Sequence, residues 1–204
     1  MVGPDKGYAY ALQASRDAEA ALAFDSAEDH LHRALELAAM TPIGSDRDRK
    51  ELDAVVALGV LATMTRCWAD GQLRDIWARA RELCERTGDA TRLFGCLWGL
   101  YWVAQTAADG AGADRLAPEL MTLAEAHGDP GLLFGAHYAA GSVAFFRGDL
   151  RSAEARYRQA ADLVDEVGAQ AVAMYPIQPV ALGPTMQRCG PQPGHRRPSR
   201  RADG

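Results

Sequence analysis

Histidine and cysteine are the side chains of this sequence best suited to bind a metal ion or to act as nucleophiles. His30 and His32 are two residues apart, so on a helix they point to different sides, and no nearby cysteines or carboxylates complete a tetrahedral site. Cys84 and Cys96 each lie in an apolar stretch with helical spacing, which predicts buried and unreactive thiols. We therefore expect neither a bound metal ion nor a cysteine nucleophile.

Carboxylates and glycines offer equally little chemistry. Glu28 and Asp29 are adjacent on a face expected to be solvated, whereas paired catalytic carboxylates need a cleft with two different environments. The glycine-rich segment 110–112 lacks the lysine and the preceding strand of a phosphate-binding loop, so a turn is expected. Because no nucleophile, base and orienting residue occur at a recognisable spacing, the sequence predicts no enzymatic activity and no cofactor. The alternative is a small helical enzyme or ligand-binding protein with an apolar pocket near Trp98.

The elements that would position any functional side chain recur with a period of forty residues. Five positions of one unit reappear in the next: Gly88, Asp89, Leu93, Phe94 and Gly95 correspond to Gly128, Asp129, Leu133, Phe134 and Gly135. Each unit has the pattern of two amphipathic helices joined by a short turn. In the clearest unit Asp129 is expected to cap a helix that has Pro130 at its first position, Gly148 follows the end of that helix, and Asp149 caps the next one.

The same pattern predicts an all-α chain of about four helix pairs over residues 1–168. The expected helices are 5–23, 25–40, 48–69, 72–87, 90–107, 112–127 and two more that follow Asp129 and Asp149. No pair can bury its apolar face alone, so neighbouring pairs must stack in series. Residues 169–204 hold six of the ten prolines and lose the helical period, which predicts a largely disordered tail.

The second helix of the clearest pair carries a recognisable motif. Gly148, Leu150, Ala153, Tyr157 and Ala160 form the pattern G-x-L-x-x-A-x-x-x-Y-x-x-A, which resembles the second half of a tetratricopeptide repeat. The stretches 78–103 and 120–163 are also similar to the helical-repeat region that follows the ATPase module in bacterial LuxR-type transcriptional regulators and related adenylate or guanylate cyclases. This resemblance implies a right-handed αα-hairpin solenoid that senses or scaffolds. Nucleotide-binding and DNA-binding motifs are absent, so the activities of those other domains are not carried over.

Aromatic residues supply the candidate partner-binding surface. Trp98, Tyr101 and Trp102 could form a ligand platform, although the same spacing is typical of packing between helices. In the tetratricopeptide register, six side chains project into the concave groove: Trp98, Trp102 and Gln105, and their counterparts forty residues later, Tyr138, Ser142 and Phe145. The sequence thus predicts a non-catalytic interaction module that binds a protein or peptide.

Charge and hydropathy narrow the classes of partner that the chain is expected to bind. Residues 1–168 carry 17 basic and 26 acidic side chains, a net charge of −9, which favours basic partners over nucleic acid. Arg196, Arg197, Arg200 and Arg201 make the tail basic, but it lacks interleaved aromatic residues. No signal peptide or apolar stretch of membrane-spanning length is present, which predicts a cytoplasmic protein.

The end of the sequence departs from a normal repeat array, which closes with a polar capping helix. We interpret the chain as a truncated or frame-shifted piece of a larger regulator, or as a gene remnant. An exposed last hairpin would then favour self-association.

Overall fold

In the computed structural model of the protein, the described residues are 4–66, 71–164 and 166, and they form eight α-helices and no strand. The all-α prediction is confirmed for this part of the chain. The predicted disorder of residues 169–204 lies outside the described residues. Over the described residues, no helix combines the length and the apolar character needed to cross a membrane.

The helices follow one another with short connections. They are α1 (Pro4–Ala20), α2 (Phe24–Ala39), α3 (Ser45–Thr65), α4 (Gly71–Thr87), α5 (Ala90–Thr106), α6 (Gly110–His127), α7 (Pro130–Phe146) and α8 (Leu150–Asp162). Two predicted starts were wrong. Helix α3 begins at Ser45 rather than at residue 48, and its first turn contains Asp46 and Asp48, which favour a helix N-terminus. Helix α6 begins at Gly110, so the segment expected to be a turn is the first turn of a helix.

An aspartate caps each of the last four helices, with a spacing of twenty residues. The carboxylates of Asp89, Asp109, Asp129 and Asp149 each accept a hydrogen bond from the backbone N–H three residues further on, at 2.9–3.1 Å. Each bond satisfies one of the free N–H groups at the start of a helix. The predicted caps Asp129 and Asp149 are confirmed, and the cap at Asp109 explains the early start of α6.

The residue before each of these caps has a left-handed backbone conformation. Gly88, Gly128 and Gly148 have φ values of 71°, 66° and 80°, and Ala108 occupies the same place with φ 57°. A left-handed conformation costs a residue with a Cβ atom about 1–2 kcal/mol, whereas glycine adopts it freely.

Replacing Ala108 by glycine should therefore stabilise the protein. We expect Ala108→Gly to raise the free energy of unfolding by about 0.5–1 kcal/mol in urea denaturation, since relief of strain exceeds the extra chain entropy of glycine. The matched control is Gly128→Ala at the equivalent turn. This substitution should lower the free energy of unfolding by about 1 kcal/mol. A loss of stability in both variants would show that Ala108 is not strained.

The buried residues form a series of small cores along the chain. One core joins α3, α4 and α5 through residues such as Leu52, Trp77 and Cys96, and the next joins α5, α6 and α7 around Trp98 and Leu120. Further cores join α1 to α3 and α7 to α8. The most extensive packing is between helices that are consecutive in the sequence. Helix α5 belongs to two cores, so it links the two halves of the described chain.

Candidate functional site

The six residues predicted to line a groove divide into buried and accessible side chains. Trp98 is fully buried and Ser142 is only 4% exposed. Trp102, Gln105 and Tyr138 are partly buried. Phe145 is 51% exposed. Four of the six can therefore be contacted by a partner in this conformation, and two cannot.

Trp98 is a core residue of α5. Its ring lies within 6.4 Å of the ring of Phe94 and 5.9 Å of that of Tyr101, measured between centroids. Its neighbour across the helix interface is Tyr138 of α7, at 6.3 Å. The interpretation of these aromatic residues as packing between hairpins is therefore the correct one for Trp98 and for Tyr101, whose hydroxyl donates to the carbonyl of Ala139 at 3.2 Å.

Ser142 connects α7 to α8 rather than facing a partner. Its hydroxyl donates to the carbonyl of Tyr138 at 3.0 Å, one turn earlier, and accepts a hydrogen bond from the hydroxyl of Tyr157 at 3.0 Å. A buried hydroxyl with both roles filled has little capacity left for a ligand. Ser142 therefore holds Tyr157 in place.

Three partly buried aromatic side chains form a row across α5, α7 and α8, which we call the aromatic strip: Trp102, Tyr138 and Tyr157. The ring centroids are 6.0 Å apart between Trp102 and Tyr138, and 5.6 Å apart between Tyr138 and Tyr157. The rings are tilted by 34° and 52°, which suits aromatic contacts better than a face-to-face arrangement. The strip therefore brings together three large, amphipathic and partly exposed side chains from three different helices.

Gln105 and Phe145 extend the accessible surface beyond the strip. Gln105 lies one turn after Trp102 on the same side of α5, and Phe145 lies two turns after Tyr138 on the same side of α7. The ring of Phe145 also contacts that of Phe146 edge to face, at 5.6 Å. Helix α5 thus contributes Trp102 and Gln105 to the accessible surface, and helix α7 contributes Tyr138 and Phe145.

The tyrosines of this region remain neutral at physiological pH. Burial raises the pKa of Tyr138 and of Tyr157 above the ordinary value for a phenol. Both hydroxyls are therefore protonated, and that of Tyr157 donates its hydrogen bond to Ser142. Near them, burial lowers the pKa of His137, and the charge of Arg156 lowers it further. The strip thus combines aromatic rings with neutral hydroxyl groups.

Two surface clefts lie away from Trp98. One, of about 90 Å³, is lined by Arg74, Arg81 and Arg115. Arg81 in this cleft pairs with Glu85 and Glu119. The other, of about 490 Å³, lies over the turn between α4 and α5 and is lined by α3 residues as well. Neither of these two clefts includes Trp98, whose side chain lies in a packed core.

Comparison with known proteins returned no similar sequence or structure: no family model, no curated protein and no solved structure matches the chain.

Sequence reasoning missed two features of the structure. Tyr157 was recognised as part of the repeat motif but not as a member of the accessible surface, because the register considered only the first helix of each pair. The close approach of Cys84 and Cys96, whose sulfur atoms are 3.7 Å apart, was also missed. The two cysteines are twelve residues apart, and the turn of a helical hairpin lies about midway between them. This placement could have indicated that the two side chains meet.

Proposed function

We propose that the chain is a tetratricopeptide-like solenoid that binds a protein or peptide partner through the aromatic strip. The observation that carries this proposal is a row of three partly exposed aromatic side chains, Trp102, Tyr138 and Tyr157, from three different helices. Aromatic residues dominate binding hot spots because they supply contact area at low entropic cost. The proposal includes no catalytic role.

Serial packing supports the solenoid. Arg92 of α5 forms an ion pair with Asp53 of α3, and Lys50 of α3 pairs with Asp5 of α1 at 2.7 Å. Arg81 of α4 pairs with Glu119 of α6 at 3.0 Å. These ion pairs join α1 to α3, α3 to α5 and α4 to α6. Contacts between one helix and the next but one are expected when hairpins stack in series.

The charge of the repeat region favours a basic partner. Residues 1–168 carry a net charge of −9, which attracts cationic segments and raises their association rate. A short peptide with lysine or arginine around one or two apolar anchors fits both the charge and the aromatic strip. We further propose that the region belongs to, or derives from, the sensing and scaffolding part of a bacterial signalling ATPase or transcriptional regulator.

Self-association through the α7–α8 hairpin remains part of this proposal. Phe146 and Leu150, at the turn of that hairpin, are 73% and 62% exposed. Such apolar side chains are typical of contact surfaces when they cluster.

Peptide selection tests the aromatic strip directly. We would pan a random peptide display library on the purified chain and measure the affinity of the selected peptides by fluorescence polarisation. We expect basic peptides with aromatic or aliphatic anchors, and a loss of at least about tenfold in affinity for Trp102→Ala and for Tyr138→Ala.

Tyr10→Ala is the matched control, because Tyr10 is also an accessible aromatic residue, 68% exposed, but lies on α1. Its affinity should equal that of the unsubstituted chain. The aromatic strip is not the binding surface if Trp102→Ala and Tyr138→Ala bind with the same affinity as Tyr10→Ala and the unsubstituted chain. Circular dichroism must show that all three variants keep their helix content.

A further inference from the structure

Two cysteines face each other across the α4–α5 hairpin. Cys84 lies in the last turn of α4 and Cys96 in the second turn of α5, and both are free thiols with 1% of their surface exposed. Their sulfur atoms are 3.7 Å apart, which is van der Waals contact. The turn between them consists of Gly88 and Asp89, so the two helices are held side by side at this point.

We propose that Cys84 and Cys96 form a redox-active dithiol, which a peroxide oxidises to a disulfide that links α4 to α5. This modification is independent of the proposed partner binding. Disulfide formation requires the two sulfur atoms to approach to about 2 Å, and the two side chains already lie next to each other in the folded protein. The sequence expectation of two unreactive thiols considered each cysteine alone.

The contact between the two sulfur atoms shifts the pKa values of the two thiols in opposite directions. The interaction with Cys96 lowers the pKa of Cys84, whereas the interaction with Cys84, together with burial, raises the pKa of Cys96. Cys84 also lies closer to the turn at Gly88 and Asp89 than Cys96 does, so we assign to Cys84 the role of the attacking thiolate and to Cys96 that of the thiol that resolves the intermediate.

The reaction proceeds in two balanced steps. The Cys84 thiolate attacks one oxygen of hydrogen peroxide, the O–O bond breaks, and a sulfenic acid and hydroxide form. The sulfur of Cys96 then attacks the sulfur of Cys84, the S–O bond breaks, and the proton of Cys96 leaves with the hydroxyl group as water. The proton first released by Cys84 neutralises the hydroxide. The two thiols lose two electrons in total, and the peroxide is reduced to two molecules of water.

The cleft of about 490 Å³ lies next to the turn of the hairpin, although neither cysteine lines it. It is lined by Thr87, Gly88 and Asp89, which form the end of α4 and the turn that follows. The backbone N–H of Asp89 donates to the carbonyl of Cys84 at 3.0 Å, so we expect that opening of this turn exposes Cys84 to the oxidant. Helix ends and turns open at low free-energy cost compared with global unfolding.

Peptide mapping tests the proposal. The two remaining cysteines are first removed, as Cys67→Ser and Cys189→Ser, so that Cys84 and Cys96 are the only thiols in the chain. The reduced, folded protein is treated with hydrogen peroxide, alkylated and digested with trypsin. We expect loss of both free thiols and a linked pair of peptides, 82–86 joined to 93–115, with two hydrogens fewer than the sum of the separate peptides.

Additional variants separate the disulfide from other oxidation products. In the same background, Cys84→Ser and Cys96→Ser should each give no linked peptide and should leave the melting temperature unchanged by peroxide, whereas the two-cysteine protein should melt at a higher temperature after oxidation. Three results would overturn the proposal: sulfinic or sulfonic acid without the linked pair, links only between two molecules, or no reaction of the folded protein under conditions that oxidise it in urea.

Discussion

Trp98→Ala should cost about 3–5 kcal/mol of folding free energy, because it removes the largest fully buried side chain of the described residues and leaves a cavity between α5 and α7. The ring contacts aromatic residues of both helices, including Phe94 and Tyr138. Those contacts cannot be replaced by a small rearrangement, since helices at a packed interface move only slightly. The change in free energy is measured by urea denaturation.

Trp102→Ala is the matched control on the same helix. Trp102 is only partly buried, so its truncation should cost less, about 1–2 kcal/mol, while it weakens peptide binding. Amide hydrogen exchange gives the location of the effect: Trp98→Ala should increase exchange mainly in α5, α6 and α7, because packing is strongest between consecutive helices. A stability loss that is larger for Trp102→Ala than for Trp98→Ala would show that Trp98 is not the core residue.

The helices themselves were largely predictable from the sequence. Their apolar spacing and their aspartate caps are local signals, so Asp129 with Pro130 identified the start of α7, and Gly148 with Asp149 identified the following turn. The two wrong starts, at α3 and α6, came from helix positions that lack strong apolar periodicity. At α6 the cap Asp109 precedes two glycines, which normally indicate a loop.

The orientation of individual side chains was less predictable. The forty-residue register placed Trp98 and Ser142 on the same face as Tyr138 and Phe145, but a rotation of a helix by a fraction of a turn decides which of these residues is buried. That rotation depends on contacts with neighbouring helices, such as the hydrogen bond between Tyr157 and Ser142. These contacts are non-local, and a periodic pattern in one helix does not contain them.

Trp77 shows the same limit in another core. Its ring lies on α4 between Gly59 of α3 and Gly99 of α5, two positions that are forty residues apart in the sequence. A Cβ atom at Gly99 would lie 2.5 Å from Cδ2 of Trp77, and one at Gly59 would lie 2.9 Å from its Cζ2. The two glycines therefore allow the tryptophan ring to fit between the helices. The sequence shows that both positions are glycines, but it does not show that the ring of Trp77 packs against them.

Gly99→Ala should consequently destabilise the protein by about 2–3 kcal/mol in urea denaturation, because the new methyl group overlaps the ring of Trp77 and forces the helices apart. Gly95→Ala is the matched control. It lies one turn earlier on the same helix, and a Cβ atom there meets no atom within 4 Å. Since alanine favours a helix over glycine, Gly95→Ala should be neutral or stabilising by up to about 1 kcal/mol.

A double-mutant cycle shows whether the ring of Trp77 causes the difference. In the background Trp77→Leu, where a smaller and more flexible side chain replaces the ring, Gly99→Ala should cost much less than it does in the unsubstituted chain. The effect of Gly95→Ala should be the same in both backgrounds, because its Cβ atom does not approach Trp77. Additive costs for Gly99→Ala and Trp77→Leu would mean that the helices do not approach each other at this glycine as described. Strong non-additivity would show that α4 and α5 pack against each other at Gly99 through the ring of Trp77.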